Sequence, residues 1–270
     1  MADFAQDTRV THTETGWQTV LSPNWQVTGP QGGYVAAIAL RAMAGLVAPG
    51  FLPAALTAQY LTPASAGPAE VEPLLLRQGR RAAFTTATVR QNGKGVLGAS
   101  ASFCQPGEGP TLLALTPPAL PPPDECRSME MREPSGASFS FHQNYDLRFA
   151  PGMKREPDGI PEFNFWANYR EHAWDNDPLI HAAALIPLLD MAVFAAAFRS
   201  IRAFPGGVTL DLTAHWHSFP ASQGWIILRG RCLHAGTGML NGWTEAWTAE
   251  GTLLATSAQQ AVLLTPKAGG

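Results

Sequence analysis

The sequence predicts an α+β fold of two tandem modules, each a curved antiparallel sheet wrapped around one central helix, and three observations predict it. The first is a diverged internal repeat. Leu56-Thr57-Ala58-Gln59-Tyr60 returns as Leu212-Thr213-Ala214-His215-Trp216 at an offset of 156, and Gly95 to Ala101 returns as Thr252 to Ala258 at 157. The small-residue run Tyr34 to Ala44 parallels Ala192 to Arg202 at 158, pairing Arg41 with Arg199. A nearly constant offset over three segments marks one plan used twice. Second, each copy reads as a short strand, one buried helix and then several strands. Third, a proline-rich stretch, GEGPTLLALTPPALPPPDE, separates the copies. One apolar helix per set of antiparallel strands is the hotdog plan. Two such modules in one chain join their sheets edge to edge, which covers edges that would otherwise invite aggregation. The expected fold is therefore a double hotdog, with an N-terminal module over 1–105, a surface linker over 106–140 and a C-terminal module over 141–270.

In chain order, Gly16 to Leu21 is strand-like, Gly33 to Leu46 is helical, and strands follow around 54–62, 69–78, 81–92 and 95–105. In the second copy, strand Glu162 to Arg170 precedes a helix over Leu179 to Arg202, and strands follow around 207–218, 223–234, 238–249 and 252–264. The turn pairs Asn92-Gly93 and Glu250-Gly251 separate the last two strands of each copy. Asp177-Pro178 supplies an N-cap and a first-turn proline to the second helix, while Arg199 and Arg202 sit in its last turn, where cations suit the helix dipole. That helix is long enough to span a bilayer. It is nevertheless alanine-rich, carries Pro187 and Asp190 near its middle and lacks a basic cluster at its start, so it reads as a buried core helix.

Composition bounds the partners. Of 270 residues, 46% are hydrophobic and only 14% charged, with a net charge of −3, so there is no basic footprint for nucleic acid or anionic lipid. A small molecule is the expected partner, with no nucleic acid and no membrane. The start, MADFAQDTRVTHTETG, lacks a basic region followed by an apolar one, which makes the cytoplasm the expected compartment. Three scattered cysteines, Cys104, Cys126 and Cys232, form no CxxC pair, against both a disulfide framework and a structural zinc site.

Asp190 is the one charged side chain in the twenty-residue stretch Leu179 to Phe198. A carboxylate taken out of water costs several kcal/mol unless it is paired, hydrogen-bonded or protonated, so its presence there points to chemistry, to a buried arginine partner or to a neutral acid. The copies differ where chemistry would be expected. Gln259 stands where the first copy reads Ser102, Thr209 where it reads Pro53, and Asp190 aligns near Gly32. If the helix crosses the sheet, the three polar side chains of the second copy can meet. A carboxylate, a hydroxyl and an amide suit the orientation of one water. Burial raises the aspartate pKa and makes it a stronger general base. With no metal site evident, the electrophile must itself be reactive, as a thioester is. Gly32 and Gly33, opening the first copy's helix ahead of Tyr34, would let a substrate approach backbone N–H groups that can stabilise an oxyanion.

At this point the chain resembles the type II acyl-CoA thioesterases, the medium-chain thioesterase II family of double-hotdog hydrolases. The resemblance runs from about Trp17 to Leu264 and rests on GPQGGYVAAIALRAM, AQYLTPA and VRQNGKGVLGASASF in the first half, and on LLDMAVFAAAF, TLDLTAHWH and EGTLLATSAQQAV in the second. It implies that Asp190, Thr209 and Gln259 together bind the attacking water. The chain departs from the family in Trp216-His217-Ser218-Phe219-Pro220, where an arginine is usual.

Other constellations carry less. His215 and His217 alternate on one strand as two metal ligands might, without a third ligand at convincing spacing. There is no G-x-S-x-G or P-loop motif. Arg77, Arg80, Arg81 and Lys94 are candidates for CoA phosphates, though exposed cations are most often simply solvated. The expected protein is an acyl-CoA thioesterase that uses no metal or redox cofactor. The alternatives are a non-catalytic acyl-CoA or lipid-binding hotdog protein and an enoyl-CoA hydratase, which would need a paired aspartate and histidine. Acyl length stays open, as do a monomer and a homo-oligomer.

Overall fold

Antiparallel pairing runs unbroken from one end of the chain's single large sheet to the other. The structure, a computed structural model, describes residues 2–129, 139–151, 161–171, 176–201, 204–219 and 224–264. The first module holds α1 (Phe4–Asp7), β1 (Thr11–Thr13), β2 (Gly16–Leu21), α2 (Gly32–Ala44), β3 (Leu52–Tyr60), β4 (Gly67–Gln78), β5 (Ala82–Gln91) and β6 (Lys94–Cys104). After it come β7 (Arg127–Ser128), α3 (Ser140–Gln143), β8 (Tyr145–Phe149), β9 (Glu162–Tyr169), α4 (Pro178–Ser200), β10 (Gly207–Trp216), β11 (Ile226–Gly236), β12 (Met239–Thr248) and β13 (Leu253–Leu263). Among the described residues the thirteen strands lie in the order β1-β2-β4-β5-β6-β3-β10-β13-β12-β11-β9-β8-β7. This is a double hotdog. The long strands and both long helices fall close to their expected positions, whereas α1, β1, β7, α3 and β8 are too short to show a periodicity in sequence.

The two halves meet at β3 and β10, in a register that is symmetric about one pair. Thr57 faces Thr213, Ala58 faces Leu212 and Leu56 faces Ala214, and the two threonine hydroxyls are 3.1 Å apart. The repeat offset of 156 thus marks the residues on the local two-fold. Both joining strands carry a β-bulge at the matching place, between Pro53 and Ala55 in β3 and between Thr209 and Asp211 in β10. The register also corrects one expectation. Thr213 pairs with Ala258 and Leu212 with Gln259, while Thr57 pairs with Ser100 and Leu56 with Ala101. The counterpart of Gln259 is therefore Ala101, and Ser102 corresponds to Gln260. The short motif matched at 157 was one residue out of step with the ladder.

Helix α4 qualifies for a membrane span by length and composition, with mean hydropathy 2.0, yet 89% of its most apolar window is buried inside the protein. Asp177 caps it through Leu179 N–H and Ile180 N–H, and Arg199 lies 4.9 Å over the ring of Phe163; Arg202 lies outside the described residues. Glycines bring the layers close. A Cβ on Gly230 would run into Ala192 O and one on Gly242 into Val193 Cγ1, while one on Gly33 would stand 2.6 Å from Pro187 Cα. These positions seat α4 against the sheet and α2 against α4, where any side chain would overlap backbone or core. The proline-rich segment crosses the second module's outer face, where Pro121 O accepts from Trp166 Nε1 (2.8 Å) and Thr116 O from Arg229 Nη1 (3.1 Å). Within the segment expected as linker, β7 pairs with β8 at the end of the sheet.

Candidate active site

Asp190 is 4% exposed at the middle of α4, and each of its oxygens accepts two hydrogen bonds. Oδ1 accepts from Thr209 Oγ1 (2.9 Å) and Gln259 Nε2 (2.6 Å). Oδ2 accepts from Gly33 N–H (3.0 Å) and Gln31 Nε2 (2.5 Å). Gln259 Nε2 also donates to Thr209 Oγ1 (2.9 Å), which closes a triangle of carboxylate, hydroxyl and amide. No arginine is among these partners. Neutral donors replace the water that burial removes, so the charge stays unneutralised.

Local structure explains why these side chains meet. Inward-facing residues of β10 alternate as Leu212, Ala214 and Trp216, so an unbroken strand would turn Leu210 inward next. The bulge between Thr209 and Asp211 shifts that alternation, burying Thr209 and leaving Leu210 exposed. Gln259 sits opposite Leu212 on β13 and shares its buried face. The fourth member, Gln31, is the N-cap of α2: its Oε1 accepts from Tyr34 N–H (2.7 Å), which aims its Nε2 at Asp190 and at Pro187 O (3.3 Å). The missing Cβ of Gly33 lets the α2 backbone reach the carboxylate.

Burial pushes the Asp190 carboxyl up from 3.8 to about 6, against the opposing pull of the Gly33 N–H and the Thr209 hydroxyl. Such a group is ionised at neutral pH yet remains a better proton acceptor than an ordinary carboxylate. Two buried polar atoms beside it have no hydrogen-bond partner among the described residues: Gln259 Oε1 and the Tyr60 hydroxyl.

The structure brings Asp190, Thr209 and Gln259 together and redistributes the residues expected to hold an oxyanion. The Gly33 N–H is taken by Asp190 and the Tyr34 N–H by Gln31. The Tyr34 hydroxyl is equally committed, donating to Asp7 O (2.7 Å) and accepting from Ser22 N–H (3.0 Å), so Tyr34 is a core residue. The correction follows from the N-cap: Gln31 and Asp190 use the second and third amides of α2. Gly32, the first, is the half-exposed residue in a buried run. Gln31 was missed in sequence because glutamine is not among the residues favoured at an N-cap, which are serine, threonine, aspartate, asparagine and glycine. The candidate phosphate ligands do not form one group, because the ten residues of β5 separate Arg77, Arg80 and Arg81 from Lys94. Lys94 lies at the end of the sheet nearer the site, since Tyr60 pairs with Leu97. His215 and His217 are exposed, and His217 Nε2 lies 3.0 Å from Thr256 Oγ1. Among the described residues no three His, Cys, Asp or Glu side chains gather as a metal would require.

Comparison with known proteins adds a family to this geometry. Residues 21–104 match the family model described as acyl-CoA thioesterase N-terminal domain, and residues 123–263 match that described as acyl-CoA thioesterase C-terminal domain. Among solved structures, acyl-CoA thioesterase II TesB2 from Mycobacterium marinum superposes with a TM-score of 0.82 at 19% identity, covering 98% of this chain and 100% of that one. A protein with a hot dog fold from Alicyclobacillus acidocaldarius gives 0.81 at 22% identity, covering 97% and 98%. The tesB protein of Mycobacterium avium subs paratuberculosis gives 0.78 at 17%, with coverage of 97% and 98%. At these identities the superpositions speak to the fold. No curated protein matches the chain.

Proposed function

The chain belongs to the acyl-CoA thioesterase family, and from that premise we propose that it hydrolyses acyl-CoA to a free carboxylic acid and CoA with a water activated by Asp190, Thr209 and Gln259. The observation that carries this reading is the closed hydrogen-bond triangle around a buried, uncompensated carboxylate that faces the start of α2.

Gln259 Oε1, a buried acceptor with no partner among the described residues, holds one hydrogen of the water. The amide nitrogen of the same side chain touches Asp190, so a water on Oε1 stands next to the carboxylate. Asp190 already accepts four donors, and of the two on Oδ1 Gln259 Nε2 has an alternative acceptor in Thr209 Oγ1. As that contact yields, Oδ1 takes the second hydrogen of the water while its oxygen attacks the thioester carbon. The carbonyl oxygen becomes an alkoxide beside the Gly32 N–H, at the positive end of the α2 dipole. Collapse breaks the carbon–sulfur bond, and the proton held by Asp190 passes to the departing thiolate. Among the described residues no histidine is a partner of Asp190, which disfavours the hydratase alternative. We place this activity in the cytoplasm, on free acyl-CoA.

Release of free thiol from acyl-CoAs ranging from short to long, with phenylacetyl-CoA included, tests the reading and gives the acyl preference. Turnover with none of them overturns it in favour of a binding module. The pH dependence is a sharper check. Because the base is Asp190 in its ionised form, kcat/KM rises with pH through about 6 and levels off above it. A profile with no acid limb in that window would remove Asp190 from the role of base.

A further inference from the structure

We propose that Tyr60 is a catalytic residue supplied by the first module, its phenol donating a hydrogen bond to the thioester carbonyl oxygen alongside the Gly32 N–H. This rests on the thioesterase reading and adds a specific donor to it.

Tyr60 closes β3 at the join between the modules, and its ring edge lies on the first residue of α2. A methyl group placed on Gly32 Cα would stand 2.8 Å from Tyr60 Cε1, 3.0 Å from the hydroxyl-bearing Cζ and 3.1 Å from Asp190 Oδ2. The phenol and the catalytic carboxylate therefore flank the same point, over the one residue at the α2 start that is half exposed. The hydroxyl is buried and has no partner among the described residues, although a buried donor left unpaired costs stability. Asp190 does not accept from it, all four of its bonds going to Gln31, Gly33, Thr209 and Gln259.

The repeat supplies an internal control. Trp216 is the counterpart of Tyr60 at the offset of 156, and its Nε1–H is spent on Ala182 O at 3.1 Å. The aromatic donor of the second module ties strand to helix; that of the first module, beside Asp190, has no acceptor among the described residues. Burial, reinforced by the charges of Asp190 and Asp211, raises the phenol well above its usual range, so the group keeps its proton and acts only as a hydrogen-bond donor. Donation to a carbonyl oxygen becomes stronger as that oxygen gains charge, which is how such a group favours the transition state over the bound substrate.

The test is Tyr60→Phe in the full chain, assayed by thiol release together with its melting temperature. The variant keeps the ring against Gly32 and loses only the hydroxyl. The expected result is a fall in kcat on the order of 10²-fold with KM nearly unchanged. The melting temperature is expected to hold or rise, since the deleted hydroxyl had no protein partner. Wild-type kcat in Tyr60→Phe, against an active wild-type enzyme, overturns the assignment of Tyr60 and leaves the thioesterase reading standing. A lower melting temperature with kcat and KM both degraded assigns the residue to packing and also overturns it. Absence of turnover in the wild-type chain overturns the thioesterase reading and this donor with it.

Discussion

Asp190→Asn is expected to lower thiol release from acyl-CoA by on the order of 10²–10⁴-fold, the range that removal of a general base typically costs. The substitution preserves size and leaves one oxygen to accept, but it cannot take a proton from water. It also places an amide NH₂ where the carboxylate had an acceptor oxygen. With donors on both sides, from Thr209 and Gln259 and from Gly33 and Gln31, one pair then faces another donor. Leaving a buried donor unsatisfied costs about 1–3 kcal/mol, which for a chain of this size lowers the melting temperature by roughly 2–12 °C. A compensating gain depends on pH. Asp190 has a folded pKa raised from 3.8 to about 6, so between those values the folded state retains a proton that the unfolded chain has released. Wild-type stability therefore falls as pH rises through that window, and the penalty is complete above about 6, where the asparagine variant escapes it. The stability gap between the two proteins should narrow from pH 4 to pH 7, as measured by parallel melts, while the activity gap widens. Retained turnover in a folded Asp190→Asn protein would refute the mechanism outright.

What sequence alone could show here depended on the range of the interactions involved. Period-two alternation bounded by Asn92-Gly93 and Glu250-Gly251 is local, and the last two strands of each module fall where those signals put them. The core carboxylate was legible for the same reason, as one charge in an apolar run. Thr209 and Gln259 were legible only by comparison between the copies, since each is an ordinary strand residue in isolation, and that comparison slipped by one residue at Gln259 because the strands pair at 158 where a short motif matched at 157. The bulge that turns Thr209 inward left no sequence mark, for neither Leu210 nor Asp211 is a residue that demands one. Gln31 and Tyr60 lie 159 and 130 residues from Asp190 in sequence, and their roles exist only once α2 has been seated on α4 and β3 has joined β10. The assignment of Gly33 and Tyr34 as oxyanion donors failed for a related reason: a free amide at a helix start is the default, and here two of them are already in use.

Gly33→Ala is expected to lose about 3 kcal/mol of stability, the upper part of the usual range for overpacking, and with it roughly 6–12 °C of melting temperature. The reason is the identity of the atoms met. The new Cβ would stand 2.6 Å from Pro187 Cα, 2.7 Å from Ile186 O and 2.8 Å from Pro187 N, all of them backbone of α4 and none able to swing aside. Either α2 or α4 must move, and each is packed against the strands of its own module as well as against the other helix. The same displacement would draw the Gly33 N–H away from Asp190 and loosen the Gln31 bridge to Asp190 and Pro187, so the fraction that stays folded should also turn over slowly. Gly32→Ala makes the contrast. Its Cβ would meet the Tyr60 ring and the Asp190 carboxylate, which are side chains and can yield at modest cost to the fold, but yielding moves the two groups proposed to flank the substrate carbonyl. Adjacent glycines thus predict opposite patterns in one experiment: a large drop in melting temperature for Gly33→Ala, and for Gly32→Ala a small one with a comparable or greater loss of kcat. A Gly33→Ala protein that melts within about 2 °C of wild type would mean that α2 and α4 are not held at backbone contact, and the geometry of every donor around Asp190 would have to be redrawn.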